Sequence, residues 1–561
     1  MKEELEQKVA AACQELFDAE IKVELTRPEE QFGDYATNVA LQLAGKVGKN
    51  PREIAEDLAV KLGQELAEQI SEVSIGGPGF MNLKLTDKAL AHTAKQQPAK
   101  SMAGQTVVAE YSDPNPFKVL HAGHLYTSLV GDAIARLMES AGAQVHRVNF
   151  GGDVGLHVGK TMWAIIREIG GENPAELTKV AENERLEWLS DRYVEGNTAY
   201  EKEESSKSEI IAANKKVYEL HANKEKDTPF AQIYWTCRQW SYDGFKALYQ
   251  KLDMVPFEKY YPESAVADLG VATVKAHLGD VYQQSDGAII FNGEKYGLFT
   301  QVFVNSAGLP TYAGKDVGLI FHKQADFKPS RSFIITDHAQ KDHLAVVMKS
   351  IEQFAPQLVE ATTHYTHGQI KLAGGIKMSS RLGNVLKAED ILVNTRLAIS
   401  NSFQELDTNT RDRTVLAAVK YAFTKNRIGS DIIYDPKESV SIEGNSGPYL
   451  QYAHARARSI LAKAGEGGDL APGAGFEPAE RSLLRKVSEY TEVVNKAVAE
   501  LMPHHICSYL YELAQTFNRF YEQNRVIGDE RQALRLGLVS HYANTLKNGL
   551  ALLGITAPDK M

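Results

Sequence analysis

The residues with the clearest chemical potential are two histidines three positions apart, His121 and His124, with Gly123 between them and Lys118 just ahead. The segment EYSDPNPFKVLHAGHL joins a predicted strand to a predicted helix, the place where an open α/β sheet binds its ligand. A helix N-terminus favours an anion because its dipole end is positive. We therefore expect the imidazoles, the first-turn amides and Lys118 to bind phosphate. Gly123 would let a flat ring or a sugar approach the backbone.

A second cationic segment, AGGIKMSSRLGN, follows the predicted strand QIKL. Its glycines suit a loop that closes over a charged leaving group. The loop supplies two cations, two hydroxyls and a methionine: Lys377, Met378, Ser379, Ser380 and Arg381. Either segment alone is also typical of surface histidines or a solvated basic turn, and their joint presence favours the phosphate-binding interpretation.

Around these segments the chain alternates strand and helix. The apolar runs VVAEY and VHRVNF flank a predicted helix at about 121–140, in which apolar residues recur every three or four positions. SFIITD, the helical QKDHLAVVMKSIEQF and the strand QIKL are predicted to extend the same sheet. This alternation predicts an α/β fold with a parallel, doubly wound sheet.

The chain divides into units of different pattern. We predict an α+β domain at 1–90, a Rossmann-type domain at 104–375 with an insertion at about 165–300, the cationic loop and connecting helices at 376–435, and an all-α domain at 436–561. In the last unit, the helix GPYLQYAHARARSIL has an apolar stripe on one side and Tyr452 and Arg456 on another. These two side chains suit unstacked bases and phosphates, or packing against the rest of the protein.

Composition limits the class of protein. The 561 residues carry 62 Lys and Arg against 72 Asp and Glu, a net charge of −10, so bulk positive charge does not hold this chain on nucleic acid. The three cysteines lie far apart without a Cys/His cluster, which argues against disulfides and a structural metal. Because the N-terminus is charged and no run of about 18 apolar residues follows, we expect a cytoplasmic protein without a membrane partner.

The HAGH and KMSSR segments together resemble the HIGH and KMSK signatures of class I aminoacyl-tRNA synthetases. Three further stretches resemble the arginyl-tRNA synthetase family: the strand end EYSDPN, LPTYAGKDVGL and ITDHAQKDHL. FGDYATNVAL and GPGFMNLKL resemble its N-terminal domain. GPYLQYAHARARSIL through LLGITAPDKM resembles its helical anticodon-binding domain, so the resemblance covers nearly the whole chain.

The resemblance implies a ligase that activates arginine with Mg·ATP and transfers it to the 3′ end of tRNA(Arg). ATP would contact the HAGH and KMSSR residues, and Lys118, His121, His124 and Lys377 would stabilise charge during catalysis. A guanidinium presents five donors in one plane and no acceptor, so its pocket needs carboxylates and a hydroxyl. The residues expected around arginine are polar side chains from the matching stretches: Glu110, Asp113, Asn115, His124, Tyr312, Asp316 and Gln340.

The resemblance further implies that Tyr452 and Arg456 contact the anticodon, that tRNA binds before the adenylate forms, and that the protein is a monomer. Ser380 replaces the second lysine of KMSK, and either Arg381 or Lys118 would supply the missing charge; we favour Lys118. Asp113 stands where many relatives have serine. Val154 replaces a tryptophan in GGDVGLHVGK, whose role stays open. The alternatives are another class I synthetase and a non-catalytic tRNA-binding paralogue.

Overall fold

The structure is a computed structural model that describes residues 1–373, 386–403, 405–464, 470 and 475–561. At the N-terminus, four helices accompany a small antiparallel sheet with strand order β1-β3-β2. Helix α3 begins where Asn50 accepts a hydrogen bond from the Arg52 amide and Pro51 occupies the first turn. The elements are α1 (Lys2–Phe17), β1 (Tyr35–Thr37), α2 (Val39–Val47), α3 (Pro51–Glu65), β2 (Ile70–Gly76), β3 (Phe80–Leu85) and α4 (Asp87–Ala94).

The next part of the chain is built on a five-stranded sheet of order β11-β10-β4-β5-β6, in which every neighbouring pair is parallel. Its elements are β4 (Thr106–Glu110), α5 (Ala122–Ser140), β5 (Gln144–Gly151), α6 (Leu156–Glu168), α7 (Arg185–Lys202), α8 (Glu204–Ala222), α9 (Pro229–Lys251), β6 (Lys259–Pro262), α10 (Glu263–Ala276), β7 (Gln283–Ser285), β8 (Ala288–Phe291), β9 (Gln301–Val304), α11 (Tyr312–Phe327), β10 (Arg331–Asp337), α12 (Lys341–Glu352), α13 (Pro356–Glu360) and β11 (Thr362–His367). Strands β7, β8 and β9 form a separate antiparallel sheet. The predicted parallel sheet is confirmed.

Helix α5 matches its predicted extent and crosses the interior. Most of its residues are buried, because the main sheet and helices of the C-terminal part of the chain pack against it. Strand β4 is buried on both faces, as a central parallel strand requires. Packing along its length therefore fixes the position of the helix that begins with the two histidines.

One predicted strand belongs elsewhere. QIKL was expected to extend the main sheet, but Ile370–Leu372 pairs in parallel with Ile432–Tyr434 in a two-stranded sheet. The edge beside β10 is occupied by Thr362–His367, whose polar sequence THYTH gave no strand signal. The chain then turns at Gly368, where a Cβ would lie 2.6 Å from Asp431 Oδ1. The range predicted as an insertion also contributes Lys259–Pro262, which forms the other edge of the sheet.

The C-terminal part is helical, as predicted. Its elements are β12 (Ile370–Leu372), α14 (Ala388–Ser402), α15 (Thr408–Thr424), β13 (Ile432–Tyr434), α16 (Pro436–Ser439), α17 (Gly447–Ala464), α18 (Pro478–Ser488), α19 (Tyr490–Glu500), α20 (His504–Gln523) and α21 (Gln532–Leu552). The N-terminal sheet docks on this bundle through buried Asp34, whose carboxylate accepts two hydrogen bonds from Arg481. This ion pair connects the N-terminal part of the chain with the C-terminal helices.

Candidate active site

A cavity of about 820 Å³ lies at the carboxyl ends of the main sheet. Each of its five parallel strands delivers a lining residue at or directly after its last position, as expected for the ligand site of an open α/β sheet. In sheet order these residues are His367, Asp337, Glu110, Gly152 and Glu263. Helices α5, α6, α7, α10, α11 and α12 supply further walls.

The cavity brings together the residues predicted to contact ATP or arginine that belong to the described part of the chain. They come from three separate segments: Glu110, Asp113, Asn115, Lys118, His121, Gly123, His124, Tyr312, Asp316 and Gln340. The predicted loop residues Lys377, Met378, Ser379, Ser380 and Arg381 lie outside the described residues. The other two predicted residues, Tyr452 and Arg456, lie on α17.

The turn between β4 and α5 is strained and tightly held. Ser112, Asp113 and Phe117 all have positive φ, a conformation that costs free energy for residues with a side chain. The Ser112 hydroxyl lies 2.7 Å from the Tyr249 hydroxyl, and the Phe117 amide donates to Ser241 Oγ at 2.9 Å. Both partners belong to α9, so a helix from the predicted insertion fixes the turn that carries Lys118.

The two histidines share one tautomer. His121 Nδ1 accepts a hydrogen bond from the Gly123 amide at 3.1 Å, and His124 Nδ1 accepts from the His121 amide at 3.3 Å. Burial lowers the pKa of His121 to about 4 and that of His124 well below its usual value, and Lys118 adds to both shifts. Both rings are therefore neutral near pH 7, and each carries its proton on Nε2 as a hydrogen-bond donor.

The predicted role of the first-turn amides is corrected in part. The Ala122 amide donates to the Leu386 carbonyl at 2.8 Å, and the Gly123 amide donates to His121 Nδ1. These two amides are therefore already bonded within the protein, whereas the imidazoles of this turn line the cavity, where their Nε2–H groups can act as donors. Gly123 is required by the His121 ring itself, since a Cβ there would lie 2.9 Å from His121 Cε1.

Lys118 faces a wall of α7. Its ammonium lies 4.2 Å from the centroid of the Tyr193 ring, a favourable cation–π distance. Burial and, to a smaller extent, the positive charge of Lys160 lower the pKa of Lys118 to about 8, and Glu263 opposes the shift. Among the described residues Lys118 forms no ion pair with a carboxylate within 4.0 Å. The cavity therefore contains a desolvated cation at this end.

The opposite end is acidic. Asp316 Oδ2 lies 2.6 Å from His343 Nε2, and the other nitrogen of that ring lies 2.6 Å from Gln301 Nε2. Asp113 accepts a hydrogen bond from the Phe150 amide at 2.7 Å. Burial and the Glu110 carboxylate raise the pKa of Asp113 well above its usual value. A cation placed here would relieve that desolvation and repulsion.

Two other carboxylates of the cavity are already paired with lysines of α11. Glu110 accepts from Lys323, and Glu263 accepts from Lys315; all four side chains are buried. Burial raises the pKa of both carboxyl groups, and the lysine opposes the shift in each case. Glu110 is thus balanced within the protein, so Asp316 and Asp113 dominate the attraction for a ligand cation.

Asn115 is oriented by the backbone. Its Oδ1 accepts from the Gly152 amide at 2.8 Å, which leaves the Nδ2 donor for a ligand. His157 lies 2.7 Å from the Gly152 carbonyl, so its Nε2 donates and fixes the same glycine. Tyr312 and Gln340 reach the cavity from exposed positions on its rim.

The sequence analysis missed several lining residues. They are polar side chains that were not assigned to the site: His157, Lys160, Glu263, His343 and His367. His343 lies three residues after Gln340, a helical spacing that could have suggested it. His157 and Lys160 are also three apart, in GLHVGK. Glu263 directly follows one strand and His367 ends another, and the sequence analysis predicted neither strand.

On α17, Tyr452 is 44% exposed, so packing against the rest of the protein does not cover it. The Arg456 guanidinium lies 4.3 Å from the ring centroid of Tyr521 on α20. The buried residues of α17 form the predicted apolar stripe on the other side. Among the described residues, no group of three or more potential metal ligands is clustered, and no helix is long and apolar enough to span a membrane.

Comparisons with known proteins agree with this architecture. Three family models match consecutive parts of the chain: the arginyl tRNA synthetase N terminal domain at 1–85, the catalytic domain of class I (R) tRNA synthetases at 85–435, and the DALR anticodon binding domain at 450–561. The arginine–tRNA ligase of Crocosphaera subtropica is 30% identical, with 100% of this chain and 99% of the relative covered. That of Flavobacterium psychrophilum is 28% identical, with full coverage of both.

Among solved structures, the Thermus thermophilus arginyl-tRNA synthetase is similar over 100% of both chains, with a TM-score of 0.81 and 25% identity. The parallel sheet with its HAGH helix and the helical C-terminal domain define a class I aminoacyl-tRNA synthetase. Within that class the chain belongs to the arginyl-tRNA synthetase family. It activates arginine with ATP and transfers it to tRNA. The two alternatives from the sequence have no support.

Proposed function

We propose that the two ends of the cavity divide the substrates between them. The triphosphate of Mg·ATP contacts the Nε2–H donors of His121 and His124 and the Lys118 ammonium, close to Gly123. The loop Lys377, Met378, Ser379, Ser380 and Arg381 completes this site, a role that rests on the sequence resemblance. Lys118 supplies the charge that Ser380 lacks.

The arginine side chain enters the acidic end. Its guanidinium donates to Asp316 and to the Tyr312 hydroxyl, with Asp113 and the lysine-paired Glu110 behind them. Its carboxylate and α-amino group lie near Asn115, Gln340 and His124, where the Asn115 Nδ2 donor is suited to the carboxylate. This places the reacting carboxylate between the two ends.

The reaction needs little covalent chemistry from the protein. The arginine carboxylate oxygen forms a bond to the α-phosphorus while the bond to the bridging oxygen breaks, and that electron pair leaves with pyrophosphate. A terminal hydroxyl of tRNA then attacks the arginyl carbonyl and AMP leaves. Neutral imidazoles and lysine ammoniums accelerate the first step by stabilising negative charge as it develops.

For the RNA partner, we propose tRNA(Arg), bound at its anticodon through Tyr452 and Arg456 on α17. The exposed phenol ring and the guanidinium stacked on Tyr521 support stacking with bases and contact with phosphates. A monomer and a cytoplasmic location stay predictions from the sequence. Analytical ultracentrifugation tests the first, and pyrophosphate exchange with and without tRNA tests the expected requirement for tRNA.

The observation that carries the nucleotide assignment is the shared tautomer of His121 and His124 beside Lys118. His124→Gln keeps an amide donor near the Nε2 position, whereas His124→Asn places it near Nδ1. We expect Gln to retain several-fold more ATP–pyrophosphate exchange than Asn, with His146→Asn on β5 as an unaffected control. Equal loss in the two His124 variants, with tRNA binding intact, would contradict the donor role.

A further inference from the structure

One wall of the cavity comes from α7, within the range predicted as an insertion. Tyr193, Asn197, Tyr200 and Glu201 are separated by helical spacings and all line the cavity. The motifs that predicted the site do not include this helix. Those motifs therefore do not account for the side chains that α7 places in the cavity.

That face holds two ammonium groups. The Lys118 ammonium lies 4.2 Å from the Tyr193 centroid, and the Lys160 ammonium lies 4.3 Å from the Tyr200 centroid. Lys160 also donates to Asn197 Oδ1 at 2.8 Å. One helix thus orients a lysine from the β4–α5 turn and a lysine from α6 toward the same space.

Lys160 is more than the partner of a surface carboxylate. Its side chain is 11% exposed, whereas Glu201, 3.9 Å away, is 66% exposed and is a weak counter-charge. The Lys160 charge also lowers the pKa of Lys118. Both ammonium groups line the same cavity, so a polyanion bound there would be attracted by the two charges together.

We propose that Lys160 is a second cation of the ATP site, contacting the polyphosphate together with Lys118, and that Asn197 and Tyr200 of α7 position it. The inference rests on the proposed assignment of the HAGH end to ATP. Lys160 exchanges no proton in the reaction. It stabilises the charge that moves onto pyrophosphate when the bond between the α-phosphorus and the bridging oxygen breaks. The predicted insertion thereby positions a cation for adenylate formation.

Lys160→Met tests this by removing the charge while keeping most of the side-chain volume. In ATP–pyrophosphate exchange with tRNA present, we expect kcat/KM for ATP to fall roughly 10- to 100-fold, with KM for arginine within about 3-fold of the wild type. Lys160→Arg should retain most activity. The matched control is Lys202→Met, on the exposed end of α7, which should behave as wild type.

Variants of the positioning residue Tyr200 supply a second test, which does not depend on the folding of a Lys160 variant. Tyr200→Phe keeps the ring and should stay near wild type, whereas Tyr200→Leu should lose about 3- to 10-fold in kcat/KM for ATP. A structural role alone would not shift a pH profile. Removing the Lys160 charge should move the fall in kcat/KM for ATP, expected at about pH 8 from Lys118, to higher pH.

Three outcomes would overturn the inference: unchanged ATP kinetics in Lys160→Met, equal losses for ATP and arginine, or a defect confined to arginyl transfer from preformed adenylate to tRNA. The last would assign Lys160 to the tRNA end instead. Lys118→Met, assayed in parallel with Lys160→Met, distinguishes failure of this inference from failure of the proposed ATP site. If Lys118→Met impairs ATP use and Lys160→Met does not, only this inference fails; if neither does, the proposed ATP site fails as well.

Discussion

At one end of the cavity Lys118 and Lys160 lie against the same face of α7, and at the other end Asp113 and Asp316 lie near the Glu110 carboxylate. At the acidic end Glu110 is paired with Lys323, and Asp316 contacts His343. The cationic end is held by aromatic rings and an amide. A polyanion bound at the cationic end would be attracted by two ammonium groups, whereas a guanidinium at the acidic end would share carboxylates that already have partners within the protein.

This difference predicts different kinetic consequences. A substitution at the cationic end should reduce the rate of adenylate formation, because charge develops there as pyrophosphate leaves. A substitution at the acidic end should mainly weaken arginine binding, because the guanidinium carries the same charge before and during the reaction.

The largest effect is expected for Lys118→Met. Loss of one preorganised stabilising group should lower kcat for ATP–pyrophosphate exchange by about 10²- to 10³-fold, with a small change in KM for arginine. Steady-state kinetics with each substrate varied in turn provides the measurement. Equal losses in turnover and in arginine affinity would mean that Lys118 does not act on the nucleotide.

The second-largest effect is expected for Asp316→Asn. It replaces a charged hydrogen bond to the guanidinium, worth about 1.5–3 kcal/mol, so KM for arginine should rise roughly 10- to 150-fold with kcat little changed. Asp326→Asn on the same helix, which loses only an ion pair with Lys259 and a bond to Tyr261, is the matched control. An unaltered KM for arginine would remove Asp316 from the pocket.

His343→Gln should have a smaller effect of the same kind. His343 lies between Asp316 and Gln301 and orients the carboxylate, so we expect KM for arginine to rise about 3- to 10-fold. Combined with Asp316→Asn, the two effects should be less than additive, because both act through one carboxylate. Full additivity in a double-mutant cycle would argue that the two residues act independently.

Tyr452→Ala should leave both ends of the cavity unaffected. Loss of a stacking surface for an anticodon base costs about 1 kcal/mol or more, so KM for tRNA should rise roughly 5-fold while KM for ATP and arginine stay unchanged. Filter binding of tRNA checks the same step without catalysis. Unchanged tRNA affinity would leave Tyr452 without the proposed contact.

The cationic end was predictable because its parts are local. His121, His124 and Lys118 lie within one short segment between a strand and a helix, and together with the KMSSR segment they predict a phosphate site. Lys160 joins them only through the packing of α6 and α7, which no local pattern encodes. The strand leading to His367 was hidden by its polar sequence, and the one leading to Glu263 is only four residues long. The sequence likewise did not reveal that Lys315 pairs with Glu263 and that Lys323 pairs with Glu110.

The most direct test is proton uptake when a non-hydrolysable ATP analogue binds to the enzyme with tRNA at pH 8, measured by titration calorimetry in two buffers of different ionisation enthalpy. Burial, with repulsion from Lys160, holds the pKa of Lys118 near 8, and a bound triphosphate should raise it. The other titratable groups around Lys118 are the ammonium of Lys160, the imidazoles of His121, His124 and His157, whose pKa values burial lowers, and Glu263, which is paired with Lys315. The phosphates, which lose their last proton near pH 6, are already ionised. We expect net uptake of roughly half a proton in the wild type and none in Lys118→Met; no uptake in the wild type, or equal uptake in both, would contradict a triphosphate site at this end of the cavity.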